Sequence, residues 1–379
     1  MTREEVEKEA LVKIDESKSL ILELTTGFGK TKMAITLINH ICDRIYKRDN
    51  TPTDILIVVP RKALIKNWEL EIEKWGGINS DYITIICYAS LAKYKRHYYD
   101  VIVFDEIHNL SLAKRDILKQ MMPKEALIGL SATISKEQRE YFQHKLHANW
   151  IKCSLPQAIQ SEILPEPTIY LIPLTLDAYN VKYKTVRFGK PLTTTQRGYY
   201  NILSDSIDYF RNQYMKYNTI SKKNIWLSTA GKRLKWLSEQ KESLILRILT
   251  QLKNYKTLTF CHDIKQAEKL GKNNITSKNT KALQCIDMFN QNKIKHITAV
   301  TMLNEGMNLV NCKYGIFCNL NSSERYSKQK IGRLLRHPSP VIIVPYYVNT
   351  REEELVHKMF REYDPKLIKK ISNINEICN

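Results

Sequence analysis

The sequence lacks the features that mark membrane, secreted and zinc-binding proteins. No run of apolar residues approaches the length needed to cross a bilayer, and residues 1–5 lack the apolar stretch of a signal peptide. The eight cysteines are scattered without a Cys-x-x-Cys pair, which indicates neither a zinc site nor a disulfide framework. We therefore expect a cytoplasmic protein with no membrane partner.

Acidic residues are also scarce relative to basic ones. The chain has 39 Asp and Glu against 59 Lys and Arg, which gives a net charge of +20. A polyanionic partner such as nucleic acid would explain this excess. A basic protein from a lysine-rich proteome would explain it equally well, because Lys, Asn and Ile are all abundant. Charge alone does not separate these explanations.

Short apolar, β-branched runs alternate with helical stretches through most of the 379 residues. The first series of predicted strands covers residues 21–24, 55–59, 83–87, 101–104 and 127–130. The second covers 257–261, 296–300, 314–318 and 341–344. Helical patterns such as 30–44 and 62–75 lie between the runs. The alternation predicts two separate α/β domains, each with a parallel sheet covered by helices.

The stretch between these series fits neither sheet. Residues 156–173 are rich in proline and predict an extended connector. Residues 176–242 are basic and aromatic, with long helical patterns, and predict an inserted helical module. The pattern at 351–371 predicts a terminal helix. We expect four segments, namely 1–152, 153–242, 243–350 and 351–379.

A strand, a tight loop and a helix start follow one another at residues 22–31, a pattern typical of a phosphate loop. Gly27 and Gly29 let backbone N–H groups approach a phosphate, and the helix start adds the positive end of its dipole. Lys30 can reach the β- and γ-phosphates, and the Thr31 hydroxyl can hold Mg²⁺. Leu24 stands where the strict pattern has glycine, and an ordinary glycine-containing turn is the alternative. The expected nucleotide-binding residues here are Thr26, Gly27, Phe28, Gly29, Lys30 and Thr31.

The wholly apolar run at 101–104 ends in two acids, Asp105 and Glu106, followed by Ile107 and His108; we call these four residues the acid box. Asp105 is expected to hold Mg²⁺ together with Thr31 and to contact the nucleotide. Glu106 is expected to orient or deprotonate the attacking water. An acidic pair capping a surface helix is the alternative interpretation.

Two further motifs follow in order. Ser131-Ala132-Thr133 comes directly after a predicted strand and gains meaning only from its place after the acid box. In Gln329-x-x-Gly-Arg333-x-x-Arg336, two arginines three residues apart would share a helical face. Arginine forks bind phosphate oxygens bidentately, and Arg336 could act as an arginine finger. A solvated basic helix face is the alternative.

Together these motifs resemble the core of a superfamily 2 helicase with a DExH-type second motif. The resemblance implies two RecA-like motor domains in tandem, ATP and Mg²⁺ as cofactors, and Gln329, Arg333 and Arg336 as catalytic residues beside Lys30, Asp105 and Glu106. It also implies nucleotide contacts from Gly306 and Asn308 in a fifth motif. The layout is similar to phage helicases related to branched-DNA and transcription-repair translocases. DEAD-box RNA helicases fit less well, because they carry Ala-Asp in the second motif.

The same resemblance implies loops that hold a nucleic-acid backbone without reading bases. The corresponding residues are Pro60, Arg61, Lys62, Ser90, His262 and Thr301. In the module, Arg187 and Lys190 are candidates for contact with a fork. Many relatives have an adenine-reading Gln ahead of the phosphate loop, whereas the first Gln here is Gln120.

The sequence therefore predicts an ATP-dependent DNA helicase or translocase, active as a monomer in phage DNA replication, repair or recombination. Its expected DNA contacts are independent of sequence, on single-stranded, duplex or forked DNA. An RNA helicase remains open, since the DExH motif permits it. A nucleic-acid-binding scaffold with a vestigial ATPase is a third reading, opposed by the intact Lys30, Asp105, Glu106 and Arg336. A motor subunit of a restriction system is a fourth.

Overall fold

The chain folds into two compact units in a computed structural model that describes residues 2–77, 80–180, 183–187, 189–300, 309–320 and 323–377. Unit 1 is built from residues 2–166 together with Lys328–Arg336, and unit 2 from the remaining described residues. Within the described chain, no helix combines the length and apolarity that a membrane span requires.

Unit 1 contains a six-stranded sheet among its described residues, with the order β3-β2-β4-β5-β1-β6 and parallel pairing throughout. Its strands are β1 (Ser19–Leu24), β2 (Ile55–Val59), β3 (Ile83–Cys87), β4 (Val101–Phe104), β5 (Ala126–Ser131) and β6 (Asn149–Cys153). Its helices are α1 (Arg3–Glu16), α2 (Lys30–Asp49), α3 (Ala63–Trp75), α4 (Leu112–Lys119), α5 (Lys136–Leu146) and α6 (Leu155–Gln160).

The central strands of this sheet are apolar because both of their faces are covered. Every residue of β1, β2, β4 and β5 is buried, as in sheets that carry helices on each side. Parallel pairing brings the carboxyl ends of these strands to one edge, where ligands of open α/β sheets bind. The phosphate loop, the acid box and Ser131 therefore lie at the same edge.

Unit 2 contains a seven-stranded sheet among its described residues, with the order β11-β12-β10-β13-β14-β7-β15 and parallel pairing. The strands of unit 2 are β7 (Thr168–Leu174), β8 (Tyr183–Arg187), β9 (Lys190–Thr194), β10 (Thr257–Phe260), β11 (Asn274–Ile275), β12 (His296–Ala299), β13 (Tyr314–Phe317), β14 (Val341–Tyr347) and β15 (Ile368–Lys370). The helices are α7 (Gln196–Tyr217), α8 (Ile220–Gln240), α9 (Glu242–Gln251), α10 (Ile264–Leu270), α11 (Ala282–Asn290), α12 (Glu324–Leu334) and α13 (Arg351–Phe360). Strands β8 and β9 form a separate antiparallel hairpin, and residues 328–334 of α12 belong to unit 1.

Two sequence expectations for the flanking segments are wrong. The stretch 156–173 is not an extended connector throughout, because α6 occupies its start and β7 enters the second sheet between β14 and β15. The terminal helix ends at Phe360 rather than reaching residue 371. Pro365 lacks an N–H, and the Asp364 carboxylate instead caps a short turn that leads into β15.

The inserted module is less purely helical than expected. It opens with the β8–β9 hairpin and continues with α7 and α8, which pack against each other as a helical hairpin. Its aromatic side chains form a small core, in which Tyr183, Tyr199 and Trp236 lie with ring centroids 5.2–5.8 Å apart. These three rings therefore pack a small core that stabilises the base of the module.

Candidate active site

The phosphate loop joins the carboxyl end of β1 to the first turn of α2. Gly27 and Gly29 have φ angles of +91° and +101°, a region in which glycine is far less strained than other residues. A Cβ placed on Gly29 would meet nothing within 4 Å, so this side of the loop is open. An open loop ahead of a helix offers backbone N–H groups and the positive end of the helix dipole, which together bind phosphate.

Lys30 and Thr31 begin helix α2 beside this loop, and both residues are half-buried. The Lys30 Nζ donates a hydrogen bond to the Leu24 carbonyl at 3.1 Å, which holds the ammonium group against the loop. Phe28 differs from its neighbours because its side chain is buried and its N–H donates to the Thr25 carbonyl at 3.2 Å. Phe28 therefore packs the loop from within and offers no side-chain group to a nucleotide.

Asp105 follows β4 and is held from three sides. Its Oδ2 accepts a hydrogen bond from the Trp68 indole at 3.1 Å, and its carbonyl accepts one from the Tyr88 hydroxyl at 3.0 Å. Its own N–H donates to the Val58 carbonyl at 2.9 Å. Burial, together with the neighbouring charge of Glu106, raises the pKa of the Asp105 carboxyl to about 6. A divalent cation at this position would stabilise the ionised form against its burial.

Glu106 adopts a left-handed backbone conformation with φ of +51°, which costs a non-glycine residue about 1–3 kcal/mol. Burial opposes its ionisation. The neighbouring His108 side chain and the charges of Lys30 and Arg333 outweigh burial, so the pKa of Glu106 lies below its usual value. His108 Nδ1 lies 3.2 Å from Glu106 Oε2. Glu106 is therefore the more acidic of the two adjacent carboxyls, and its ionised form is the one that a general base requires.

His108 connects the acid box to Ser131. Its Nδ1 lies 2.9 Å from the Ser131 Oγ, and the Ser131 hydroxyl donates to the Thr133 carbonyl at 2.9 Å. The amide of Gln138 donates to the His108 carbonyl at 2.7 Å and so ties the same residue to the start of α5. A change in the position of Glu106 would therefore reach the loop after β5 through one histidine.

The two arginines of the Gln329–Arg336 motif lie in different environments. Gln329 and Arg333 are buried on α12, whereas Arg336 is exposed in the turn that follows the helix end at Leu334. The expectation that Arg333 and Arg336 share one helical face is therefore wrong. Pro338 supplies the reason, because its ring and missing N–H disfavour helix in the residues before it.

Helix α12 approaches the phosphate loop closely at Gly332. A Cβ built on Gly332 would lie 2.6 Å from the Thr26 Cβ, a distance that no larger residue could keep without displacing the loop. The approach brings the Arg333 charge close enough to lower the pKa of Glu106. Glycine at 332 is therefore required for packing, a role that the sequence motif alone did not indicate.

Two family models match the chain. Residues 2–136 match the model described as type III restriction enzyme, res subunit, and residues 240–338 match the model described as helicase conserved C-terminal domain. The phosphate loop, the acid box and Ser131–Thr133 lie inside the first match, and Gln329–Arg336 lies inside the second.

A similar curated protein is the DNA 3'-5' translocase XPB2 of Sulfurisphaera tokodaii. It is 24% identical over 354 residues, which cover 83% of this chain and 74% of the relative. The chain is a nucleic-acid-dependent ATPase or helicase.

Solved structures of helicase-type motors share the fold of this helicase. A fragment of an HsdR subunit of a type I restriction enzyme from Vibrio vulnificus YJ016 superposes with a TM-score of 0.63 at 17% identity, over 97% of this chain and 67% of that one. Dbp5 of S. cerevisiae, bound to RNA and ADP BeF3, gives 0.61 at 13% identity, over 98% and 91%. The likeness confirms the expected tandem RecA-like fold.

The expected nucleic-acid residues of the helicase lie mainly in loops after strands. Arg61 and Lys62 are exposed after β2, where Pro60 is half-buried, and Ser90 is half-buried after β3. His262 follows β10, and its Nδ1 lies 3.2 Å from the Asn319 Oδ1. Thr301, Gly306 and Asn308 lie outside the described residues.

Arg187 and Lys190 pair across the end of the β8–β9 hairpin of the helicase. Lys190 is exposed, as are most residues of β9. A two-stranded sheet gains little stability in water by itself, and the contact of Tyr183 with Tyr199 and Trp236 anchors this one to the helices.

Proposed function

We propose that the protein is an ATP-dependent DNA helicase or translocase that couples ATP hydrolysis to movement on DNA or to its unwinding. The similarity to a DNA translocase along 83% of the chain carries this proposal. The net charge of +20 supports it, because a motor that grips a phosphate backbone needs compensating cations. A role in phage DNA replication, repair or recombination, in the cytoplasm of a bacterial host, rests on the resemblance of the connector and module.

Mg²⁺ with ATP fits the residues at the sheet edge of unit 1. Among the described residues, no three His, Cys, Asp or Glu side chains gather as a metal site. Mg²⁺ is usually held by one or two carboxylates plus substrate phosphates. The Thr31 hydroxyl and the buried Asp105 carboxyl would hold it. The ion would polarise the γ-phosphate, which is the chemistry it supplies.

The protein's own groups divide the remaining work. Backbone N–H groups at Gly27 and Gly29 and the Lys30 ammonium bind and orient the phosphates. Glu106, held as a carboxylate, orients the attacking water and accepts its proton at Oε1 or Oε2. Arg336 acts as the arginine finger that stabilises the negative charge of the γ-phosphoryl group in the transition state. Arg333 and Gln329 help to stabilise the same phosphoryl charge.

DNA would be held by backbone contacts that are independent of sequence. Arg61, Lys62 and the hydroxyl of Ser90 offer phosphate contacts in unit 1, and His262 and Thr301 offer them in the second motor domain. Arg187 and Lys190 would add contacts at a fork. We propose that the enzyme works as a monomer.

ATP hydrolysis measured with single-stranded DNA, duplex DNA, forked DNA and single-stranded RNA tests this proposal. We expect DNA to stimulate turnover more than RNA of the same length, with Lys30→Ala as the inactive control. Stimulation by RNA alone would favour an RNA helicase. Hydrolysis that no nucleic acid stimulates would favour a binding scaffold.

A further inference from the structure

Local contacts hold the far end of the α7–α8 hairpin together. The rings of Tyr214 and Trp226 stack across the two helices, with centroids 5.8 Å apart and an interplanar angle of 18°. Asn218 turns the chain with a φ of +47°, and the Thr219 hydroxyl caps α8. Helix α7, with 22 residues, is about 33 Å long at 1.5 Å per residue. The hairpin therefore holds its tip far from its own base.

The outer part of this hairpin is free of acidic residues. Residues 209–238 contain no Asp or Glu but seven Lys and Arg. Two of these seven are engaged near the base, because Arg233 donates to the Ser204 Oγ at 2.8 Å and Lys235 pairs with Asp263 at 2.6 Å. Four others, Arg211, Lys216, Lys222 and Lys223, lie within two helical turns of the tip.

Large apolar side chains are exposed at the same tip. Met215, Tyr217 and Ile220 are 70%, 51% and 79% exposed. The Nζ atoms of Lys216 and Lys222 lie 5.2 and 5.5 Å from the centroid of the Tyr217 ring. A flat ring flanked by two cations and bordered by two aliphatic side chains fits a partner that offers both negative charge and flat apolar surface.

We propose that this tip, Met215–Ile220, stacks on the exposed terminal base pair of a DNA junction. A continuous duplex offers phosphates and the edges of its bases but no base face, whereas a junction adds an uncovered base face beside the phosphates. Tyr217 would stack on that face, and the flanking lysines would neutralise the adjacent phosphates. The proposal rests on the DNA activity proposed above and adds the structure that the motor recognises.

A fork with 2-aminopurine in the last base pair of its duplex arm tests this directly. We compare the parent protein, the double variant Tyr217→Ala with Ile220→Ser, and the control Leu283→Ser, which removes an apolar side chain that is 67% exposed on α11. Affinities for the fork and for single-stranded DNA are measured with fluorescence, and unfolding temperatures verify that each variant folds.

The parent and the control should change the 2-aminopurine fluorescence and prefer the fork. The double variant should no longer change the 2-aminopurine fluorescence. Its affinity for the fork should fall roughly tenfold, as expected from the loss of one stacked base. Its affinity for single-stranded DNA should change less than about twofold. A further variant, Lys216→Gln with Lys222→Gln, should keep the stacking signal at low salt while its fork binding becomes less dependent on salt concentration.

Unchanged fork affinity and fluorescence in the double variant would overturn the proposal. A parent dimer that the double variant abolishes in sedimentation would instead assign the tip to self-association, and binding to anionic lipid vesicles that depends on Tyr217 would assign it to a membrane surface. Stimulation of parental ATP hydrolysis by single-stranded DNA is read separately. If single-stranded DNA stimulates ATP hydrolysis but the double variant leaves the fork affinity and fluorescence unchanged, only this inference fails. If DNA does not stimulate ATP hydrolysis, the proposed function itself is overturned.

Discussion

Asp105 and Glu106 are adjacent in the chain, but their pKa values are shifted in opposite directions. Burial favours the neutral form of Asp105, whereas His108, Lys30 and Arg333 keep Glu106 ionised. Environments that push the pKa values of two neighbouring carboxyls apart divide their roles. Asp105 is suited to a cation that restores its charge, and Glu106 to accepting a proton.

The hydrogen bond from Trp68 to Asp105 gives a prediction about Mg²⁺. Trp68→Phe removes the indole N–H at 3.1 Å from Oδ2 and leaves the carboxylate less firmly oriented. A hydrogen bond to a charged group contributes about 1.5–3 kcal/mol, so the Mg²⁺ concentration for half-maximal ATP hydrolysis should rise roughly tenfold. Trp75→Phe is the matched control, because its indole donates to the half-buried Glu71, away from Asp105. If both variants behave like the parent, this bond does not position the cation site.

Arg336 gives a second prediction at this scale. As an arginine finger it would stabilise charge only in the transition state, so Arg336→Ala should lower kcat by roughly 10²-fold or more with ATP binding much less affected. Turnover and equilibrium binding of ATP are measured separately. A structural arginine would behave differently, lowering the unfolding temperature and leaving turnover per folded molecule intact.

The sequence predicts the residues of the candidate ATP site better than the residues that support them. Gly27, Lys30, Asp105 and Glu106 follow from local patterns, and the structure brings them to one edge of a sheet. The roles of Trp68 and Tyr88 do not follow from local patterns, because their contacts with Asp105 depend on how α3 and β3 pack beside β4. The same holds for Gly332, whose role depends on the approach of α12 to the phosphate loop.

At the scale of elements, the junction between α8 and α9 differs most from the sequence prediction. The apolar pattern predicts one helix over 222–252, but the chain turns at Lys241. There the Lys241 Nζ lies 2.6 Å from the Glu352 Oε1, with both side chains essentially inaccessible to solvent. Glu352 also accepts from the Tyr347 N–H at 3.1 Å. The buried pair thus ties the module to β14 and α13.

This buried pair gives a prediction about stability. Lys241→Met should reduce the free energy of unfolding by about 3–5 kcal/mol, because it leaves Glu352 buried without its partner. Lys241→Met with Glu352→Gln should recover much of that loss, since the amide oxygen can still accept from Tyr347. Denaturant unfolding of the parent and both variants measures the difference. A double variant no more stable than the single one would contradict this account of the junction.

The elements that the sequence predicts share a clear pattern. The predicted bounds of strands β2, β3 and β4 agree with the observed ones, because buried parallel strands are continuous apolar runs. Strand β6 contains polar residues at Asn149 and Lys152, and β15 has only three residues, so neither carries that pattern. Strand β7 falls in the predicted connector because Pro165 and Pro167 precede it and Pro173 lies within it.

At the scale of the whole molecule, charge is the property that most directly concerns function. The excess of basic residues includes the acid-free hairpin of residues 209–238 and the exposed cations after β2. Removing one phosphate contact from a protein–DNA complex lowers the dependence of log affinity on log salt concentration by about 0.9 for duplex DNA. The slope of log affinity against log salt concentration therefore measures how many cationic side chains contact DNA phosphates.

Charge reversal at the β8–β9 hairpin gives the corresponding prediction. Arg187→Glu together with Lys190→Glu should weaken binding to forked DNA and flatten its salt dependence by about one to two units of slope. Binding is measured at several salt concentrations on forked and single-stranded DNA, with the unfolding temperature as a control for folding. Equal affinities and slopes for parent and variant on both substrates would make this hairpin a structural spacer.

The central claim is that the protein hydrolyses ATP, that Lys30 and Glu106 are required for this hydrolysis, and that DNA stimulates it. The most direct test is the rate of ATP hydrolysis with and without single-stranded DNA, measured for the parent, Lys30→Ala and Glu106→Gln alongside nucleotide binding. The account predicts DNA stimulation in the parent and no turnover for Lys30→Ala. For Glu106→Gln it predicts intact ATP binding with turnover lowered about 10²- to 10⁴-fold. Hydrolysis at the parental, DNA-stimulated rate by Glu106→Gln or Lys30→Ala would contradict it.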